Sequence, residues 1–277
     1  MEPLPDIGRI ETVARSMRRD IVTMIARAGS GHPGGSLSAA DIVATLYFHT
    51  LRHDPARPSW PRRDRFILSK GHAAPVLYAA LAEAGYFGKE HLETLRRLGS
   101  LLQGHPDGSK TPGVEVSTGS LGQGLAIANG LALGLRLSGE SEQRVYVLMG
   151  DGELQEGEVW EAAMLSAHER LGNLTAIVDA NGLQIDGSCN EVMCLGAVAA
   201  KFKAFGWEAI EVDGHDIGSL AGAFVSAARI GAERQTPVVI VAHTVKGKGV
   251  SFMENNADWH GKAPTAEQSA LALAELS

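Results

Sequence analysis

Three stretches of this chain are apolar almost without interruption: Val145–Met149, Thr175–Asp179 and Val238–His243. Each is short and rich in β-branched side chains. A strand with one wet face alternates polar and apolar residues; a strand that does not alternate is covered on both faces, as in a parallel sheet between helical layers. Glu208–Asp213 is a fourth candidate strand and Arg65–Ser69 a shorter one. Helical patterns at about 159–171, 192–205 and 218–231 separate the later strands. Strand–helix alternation at this spacing implies an α/β fold, a mostly parallel sheet with helices on both faces and right-handed crossovers. Ligands of such sheets bind at the carboxyl ends of the strands. The residues just after each strand are therefore where chemistry is expected.

The first half of the chain reads as helical. Residues 11–28 place Val13, Met17, Ile21, Met24 and Ile25 at helical spacing. Ser36 or Ser38 is a candidate cap for a second helix running through Tyr47 to Leu51. A third spans about His72 to Glu83 and ends at Gly85. Leu121–Leu137 is Ala- and Leu-rich and apolar on most sides, so it is expected to be well buried. No repeat or low-complexity linker divides the 277 residues, which read as one domain, 1–277, with a short N-terminal extension and a C-terminal helix.

Composition excludes several classes. The net charge of -7 and pI of about 5.8 lack the basic face that nucleic-acid binding requires. The one basic cluster, Arg57, Arg62, Arg63 and Arg65, is broken by Pro58, Pro61 and Asp64 and reads as a solvated loop. Cys189 and Cys194 are too few for a disulfide framework and have no neighbouring His or Cys to complete a zinc site; they read as reduced thiols of a cytoplasmic protein. The start lacks an apolar signal core, and no run of apolar residues is long enough to span a membrane. Glycine is the outlier: 33 residues, about 12% against roughly 7% on average. Such an excess suits tight turns and close approach of backbone to a ligand.

The residues after the strands bear this out. Gly150-Asp151-Gly152-Glu153 follows the first apolar run, and Ala180-Asn181-Gly182-Leu183 follows the second. Asp-Gly and Asn-Gly are common turn dipeptides when met singly. After two adjacent buried strands they offer a carboxylate, a carboxamide and exposed carbonyls, an all-oxygen set suited to Mg²⁺ or Ca²⁺ completed by water and substrate phosphates. Glycines at 150 and 152 let backbone N–H groups approach a diphosphate, helped by the helix expected near Val159. Four histidines lie in glycine- or proline-rich loops: His32, His72, His105 and His260. Together they suggest a polar pocket in which imidazoles donate hydrogen bonds and move protons near pH 7. His49, His53, His91, His168, His215 and His243 read as structural or exposed. Thr118-Gly119-Ser120-Leu121-Gly122-Gln123-Gly124 opens a helix but does not match the dinucleotide fingerprint. Lys246-Gly247-Lys248-Gly249 follows the last strand and is too short for a P-loop; it reads as a phosphate-side lysine or a flexible basic turn.

Taken in order, Ser30-Gly31-His32-Pro33-Gly34, Leu68-Ser69-Lys70-Gly71-His72, Gly104-His105-Pro106, the segment 118–124, and Gly150-Asp151-Gly152 with Asn181 thirty positions on resemble the amino-terminal, diphosphate-binding domain of transketolase. The resemblance runs from about residue 11 to 262. It implies a PP-type thiamine diphosphate domain in which Asp151, Asn181 and the carbonyl of Leu183 hold Mg²⁺ or Ca²⁺. It further implies that Gly152, Glu153, His72, Lys246 and His260 surround the diphosphate, with Gly150 in the same loop. Gly119 and Leu121, with Ser120 between them, would line the aminopyrimidine and thiazolium, and Ile185 would pack near the thiazolium. His32, His72, His105 and His260 would face the donor sugar phosphate. Glu156 and Glu161 match acidic residues that link paired active sites. Breaking a ketose C2–C3 bond leaves carbanion character that no side chain delocalises and a thiazolium does, so the cofactor carries that chemistry.

The chain ends shortly after Trp259-His260-Gly261-Lys262, whereas a full transketolase continues with a pyrimidine-binding and a carboxyl-terminal domain. The resemblance therefore implies a split transketolase, its active site completed by a C-terminal subunit in an α2β2 assembly, with no role for nucleic acid or membrane. The competing readings are another split thiamine diphosphate enzyme, resembling deoxyxylulose-phosphate synthase or the α chain of a 2-oxo acid dehydrogenase, and a non-catalytic homologue that only binds a partner.

Overall fold

In the computed structural model, which describes residues 5–140 and 142–277, the apolar runs form the strands expected. The first four residues of the expected N-terminal extension lie outside the described residues. Along the chain the strands are β1 (Arg65–Leu68), β2 (Val145–Gly150), β3 (Leu174–Ala180), β4 (Leu183–Gln184), β5 (Gly187–Ser188), β6 (Glu208–Asp213) and β7 (Val238–His243). Five of them make one parallel sheet in the order β1-β2-β3-β7-β6. The short β4 and β5 pair antiparallel in a hairpin that the sequence pattern did not suggest.

Register explains why the strands do not alternate. Phe66, Tyr146 and Val238 lie level on one face, and Ile67, Val147, Ala176 and Val239 on the other. Each face meets its own apolar layer. The first is packed by helices α1 (Ile7–Ala28), α2 (Pro33–Ser38), α3 (Ala40–Thr45) and α4 (Ala74–Ala84). The second is packed by α5 (Gln123–Leu137), α6 (Gly157–His168) and, past the short α7 (Cys189–Met193), by α8 (Val198–Ala204). The connection from β6 back to β7 runs through α9 (Ile217–Arg234) on the first face, and α10 (Ala266–Glu275) docks on α1. The chain steps from β1 to β3 in one direction, passes to β6, and returns to fill the gap with β7. Connections leaving β3 and β7 thus diverge to opposite faces, and the crevice outside their carboxyl ends is a topological switch point.

Several helices differ from expectation. Ser36 and Ser38 cap nothing: α2 begins at Pro33, whose fixed φ suits a first helical position. Ser36 donates to the His32 carbonyl and Ser38 to Asp179, and the helix continues as α3 and a π-turn over 46–50. The segment expected as one helix at 192–205 is interrupted, α7 ending at Met193 and α8 starting at Val198. The α5 helix is less buried than its composition suggests. It buries Leu125, Ala128 and Ala132, while Gly130 and Gly134 lie on an open face and Leu137 is 84% exposed. Arg57 sits on the surface as expected, but Arg63 and Arg65 do not. Both ion-pair with Glu115, at 2.7 and 3.0 Å, and are largely buried. No described helix is long and apolar enough to cross a membrane.

The entry to α5 is tight. A Cβ on Gly124 would lie 2.1 Å from Ser69 Oγ, whereas one on Gly130, six residues further along, meets nothing within 4 Å. Gly124→Ala is expected to destabilise the chain by about 1–3 kcal/mol through overpacking. Gly130→Ala is expected to stabilise it by up to about 1 kcal/mol through helix propensity. Urea unfolding midpoints of the two variants check both signs.

Candidate active site

The crevice at the switch point is a cavity of about 220 Å³. Its floor is a fully buried ion pair: the Lys70 ammonium, just after β1, meets the Asp179 carboxylate near the end of β3. Lys70 also donates to the Gly35 carbonyl at 2.7 Å. Asp179 accepts in addition from Ser38 at 2.6 Å, from Asn181 Nδ2 at 3.1 Å and from Thr244. Burial opposes ionisation of Asp179, but the Lys70 charge and these hydrogen bonds outweigh it and hold its carboxyl below the ordinary range. Neither residue was singled out from the sequence. The available signal was an acidic residue near the end of an otherwise apolar strand, because a carboxylate buried there needs a partner.

Above this floor stand the expected metal ligands. Asp151 is 8% exposed and sits between two glycine amides: Gly152 N donates to Oδ1 at 2.8 Å and Gly182 N to Oδ2 at 2.6 Å. Burial, followed by the neighbouring Asp179 charge, pushes its pKa up. Asn181 is oriented by its Nδ2 contact to Asp179 and by the Leu183 amide, which donates to its Oδ1 at 3.1 Å. The Leu183 carbonyl accepts from Lys246 Nζ at 2.9 Å. Among the described residues no three His, Cys, Asp or Glu side chains cluster for a metal. The donor set is one carboxylate, one amide oxygen and one carbonyl, all hard oxygens, which fits Mg²⁺ or Ca²⁺ carried in with phosphate oxygens.

Lys246 is the complementary charge. It is 2% exposed and meets no carboxylate within ion-pair distance among the described residues. Its hydrogen bonds go to the Leu183 carbonyl and, at 2.9 Å, to His260 Nδ1. Burial and the nearby Lys70 charge lower its pKa to about 8. A buried cation without a counter-ion, beside a carboxylate of raised pKa, suits an anion that arrives with a divalent cation.

Three of the four expected histidines converge here. The ring centroids of His32, His72 and His260 are 5.1–5.6 Å apart. The 3₁₀ turn Gly71–Ala73 carries His72, and the turn Ala257–Trp259 sets His260 beside Lys246. Burial first, then neighbouring cations, lowers all three: His32 to about 4, His72 to about 2 and His260 to about 3. The expectation of titration near pH 7 is therefore corrected for the free chain, in which these imidazoles are neutral. His105 lies apart, exposed at the rim, where its ring covers Gly119. Arg96 sits beside His32, its Nη2 3.4 Å from the His32 Nδ1.

The remaining expected residues divide. Gly119, Leu121, Gly150, Gly152 and Ile185 line the cavity, with Leu121 and Ile185 exposed at its mouth. Gly35 and Gln184, not singled out from the sequence, line it too, whereas Ser120 is exposed and outside the lining. Glu153 lines the cavity as well, with its carboxylate engaged by the protein's own donors. Its oxygens accept from Ser69, from Gly122 N at 2.9 Å and from Gly150 N at 3.1 Å, pinning together the loops after β1, before α5 and after β2. Gly122 has φ +90°, and a Cβ there would lie 2.8 Å from Glu156 Cβ, so only glycine suits this entry. Glu156 and Glu161 are both exposed, at the start and on the outer face of α6.

A buried Lys–Asp floor, an oxygen-only cation set, an unpaired lysine and a triad of imidazoles at a switch point define a diphosphate-binding α/β domain. Comparison with known proteins agrees. The family model "Transketolase, thiamine diphosphate binding domain" matches residues 10–276. The chain is 41% identical over 271 residues to an apulose-4-phosphate transketolase subunit of Phocaeicola vulgatus, covering 98% of this chain and 95% of that protein. It is 43% identical over 263 residues to the 6-deoxy-6-sulfo-D-fructose transketolase subunit SqwG of a Clostridium species, covering 95% and 94%. A transketolase from Pichia stipitis solved in complex with xylulose-5-phosphate superposes with a TM-score of 0.91 at 34% identity, over 96% of this chain and 40% of that one. The chain belongs to the transketolase thiamine diphosphate-binding domain family. It spans nearly the whole of the relatives named as subunits and about two-fifths of the solved transketolase.

The neutral histidines set a pH dependence. A folded pKa below the ordinary 6.5 means that the unfolded chain takes up the proton first. The stability due to His72 is thus complete above about pH 6.5 and is lost as pH falls toward its folded value. His72→Asn is expected to lose less thermal stability than the wild type between pH 6.5 and pH 4. Melting temperatures at the two pH values check this, and an equal fall in both proteins contradicts it.

Proposed function

We propose that this chain is one half of a transketolase active site, moving a two-carbon ketol unit from a ketose phosphate to an aldose together with a second chain. The observation that carries the reading is the buried, unpaired Lys246 facing Asp151 and Asn181 across the cavity. Asp151, Asn181 and the Leu183 carbonyl would hold Mg²⁺ or Ca²⁺. Gly150, Gly152, His72, Lys246 and His260 would bind the diphosphate of thiamine diphosphate. Gly119, Ser120, Leu121 and Ile185 would flank its rings, and Glu153 would sit at the diphosphate while holding the surrounding loops in place. When bound, the cofactor supplies the electron sink for carbon–carbon cleavage. The chain's own part is positional and protonic. Neutral His32, His72 and His260 donate hydrogen bonds to the donor's C1 and C2 oxygens, and His105 at the rim moves protons as the sugar reacts.

The cavity mouth supports a partner. Ile185 is 68% exposed and Leu121 37% exposed at the edge where the cofactor rings would lie. A pyrimidine-binding domain from a second chain would cover them. Relatives of this chain's length are themselves named as subunits. The reading is accordingly one diphosphate-binding domain over 1–277, assembled as α2β2 with a chain carrying the pyrimidine-binding and carboxyl-terminal domains. Its substrates would be sugar phosphates and its place the cytoplasm, consistent with free thiols at Cys189 and Cys194.

Asp151→Ala is expected to weaken Mg²⁺-dependent thiamine diphosphate binding by more than about a hundredfold in the assembled enzyme. The circular dichroism spectrum should stay unchanged. Titration calorimetry checks the first, and wild-type affinity removes the metal assignment. His105→Ala should retain cofactor affinity but lower kcat by about a hundredfold, measured with a ketose phosphate donor. The chain assayed alone with Mg²⁺ and thiamine diphosphate should show negligible ketol transfer, and robust turnover removes the need for a partner.

A further inference from the structure

The segment that carries Lys246 is held from beneath by a second polar network, separate from the cavity. Arg18 on α1 grips Asp41 on α3 with both prongs, Nη1 to Oδ1 at 3.0 Å and Nη2 to Oδ2 at 2.6 Å. His215, in the turn after β6, places Nδ1 2.7 Å from the same Oδ2. Its Nε2 then accepts from the Val245 amide at 2.8 Å. The side chains are 10%, 10% and 14% exposed. Burial works against ionisation of Asp41, but the hydrogen bonds from His215 and Arg18 prevail and keep its carboxyl below the ordinary range.

These contacts fix the imidazole. Because Nε2 accepts an amide hydrogen it carries none itself, so Nδ1 bears the proton and donates it to Asp41. Arg18 and Asp41 thus set the tautomer and orientation of His215, and His215 sets the Val245 amide. The next residue is Lys246. Its neighbours are tied elsewhere: Thr244 donates to Asp179, and Gly247 N donates to the Gly34 carbonyl at 3.0 Å. Between them, Val245 has His215 as its backbone acceptor.

We infer that Arg18, Asp41 and His215 form a positioning relay that fixes the Val245–Lys246 backbone and thereby aims the Lys246 ammonium at the anion in the cavity. The inference rests on the reading of Lys246 as a diphosphate ligand. His215 touches neither the anion nor the reacting atoms and is a positioning residue acting through Lys246.

Two substitutions separate its contacts. His215→Gln can keep an acceptor at the Nε2 position for Val245 while giving up Asp41. His215→Asn can keep a donor to Asp41 while leaving the Val245 amide unpaired. In the ligand-free chain, amide hydrogen exchange over residues 244–249 should rise in H215N and stay near wild type in H215Q. In the assembled enzyme, calorimetry with thiamine diphosphate and Mg²⁺ should show affinity about tenfold weaker in H215N, the size expected of an unpaired buried amide. H215Q should bind as the wild type does, although both variants melt below it. The H215N effect should vanish in a Lys246→Ala background, as a double-mutant cycle requires of a residue acting through another. Arg18→Lys, which keeps the charge but not the two-pronged grip, gives a smaller change of the same kind and serves if H215N does not fold. Unchanged exchange in H215N, equal affinities in H215N and H215Q, or a full H215N effect in the K246A background overturns the relay. Wild-type cofactor affinity in K246A alone overturns instead the assignment of Lys246 as a diphosphate ligand.

Discussion

The Lys70–Asp179 ion pair governs how the site is built. Both groups are sealed from water, and removing either would strand the other, a change that typically costs about 3–5 kcal/mol. The pair is not isolated. Asp179 gathers Ser38 from α2, Asn181 from the turn after β3 and Thr244 from the segment after β7, while Lys70 reaches back to the Gly35 carbonyl. Four stretches distant in sequence are thereby tied to one carboxylate. Asn181 owes its orientation to that carboxylate, and Asp151 is held just above it by the Gly152 and Gly182 amides. The proposed metal ligands and the lysine that faces them thus share one foundation.

A second carboxylate does the same at the other end of the crevice. Glu153 joins the loops after β1 and β2 to the start of α5 through Ser69, Gly150 and Gly122. Asp41 does it a third time, beneath the segment after β7. Two buried acids, Asp179 and Glu153, therefore tie the loops around the crevice, and a third, Asp41, supports the Lys246 segment from outside it. What sets each of these acids apart is the set of partners the fold brings to it and not its residue type.

That distinction was the part of the molecule least legible in the sequence. The strands were readable because burial on both faces leaves a continuous apolar run, which is a local signal. His32, His72 and His260 were readable because histidine among glycines and prolines in loops is unusual, and Asp151 and Asn181 because they follow two such runs. Lys70 and Asp179 are 109 positions apart, and nothing local shows that one will neutralise the other. Glu153 sat in the right motif but acts on backbone amides that only the tertiary fold brings near. The cap positions failed for a different reason: Pro33 competed with Ser36 and Ser38 for the helix start, and the fixed φ of proline prevailed. Composition alone made α5 look buried, yet the sheet covers only one side of it.

The Leu183 carbonyl has a consequence for how a ligand arrives. It is one of the three oxygens proposed to take a cation, and the Lys246 ammonium already rests on it at 2.9 Å. A divalent ion entering alone meets that positive charge, and an anion entering alone meets the Asp151 carboxylate. Arriving as a pair, each cancels the charge that repels the other. On the reading proposed above, metal and diphosphate are linked thermodynamically, each raising the affinity for its companion by the same factor, and this cooperativity is written into a single shared oxygen.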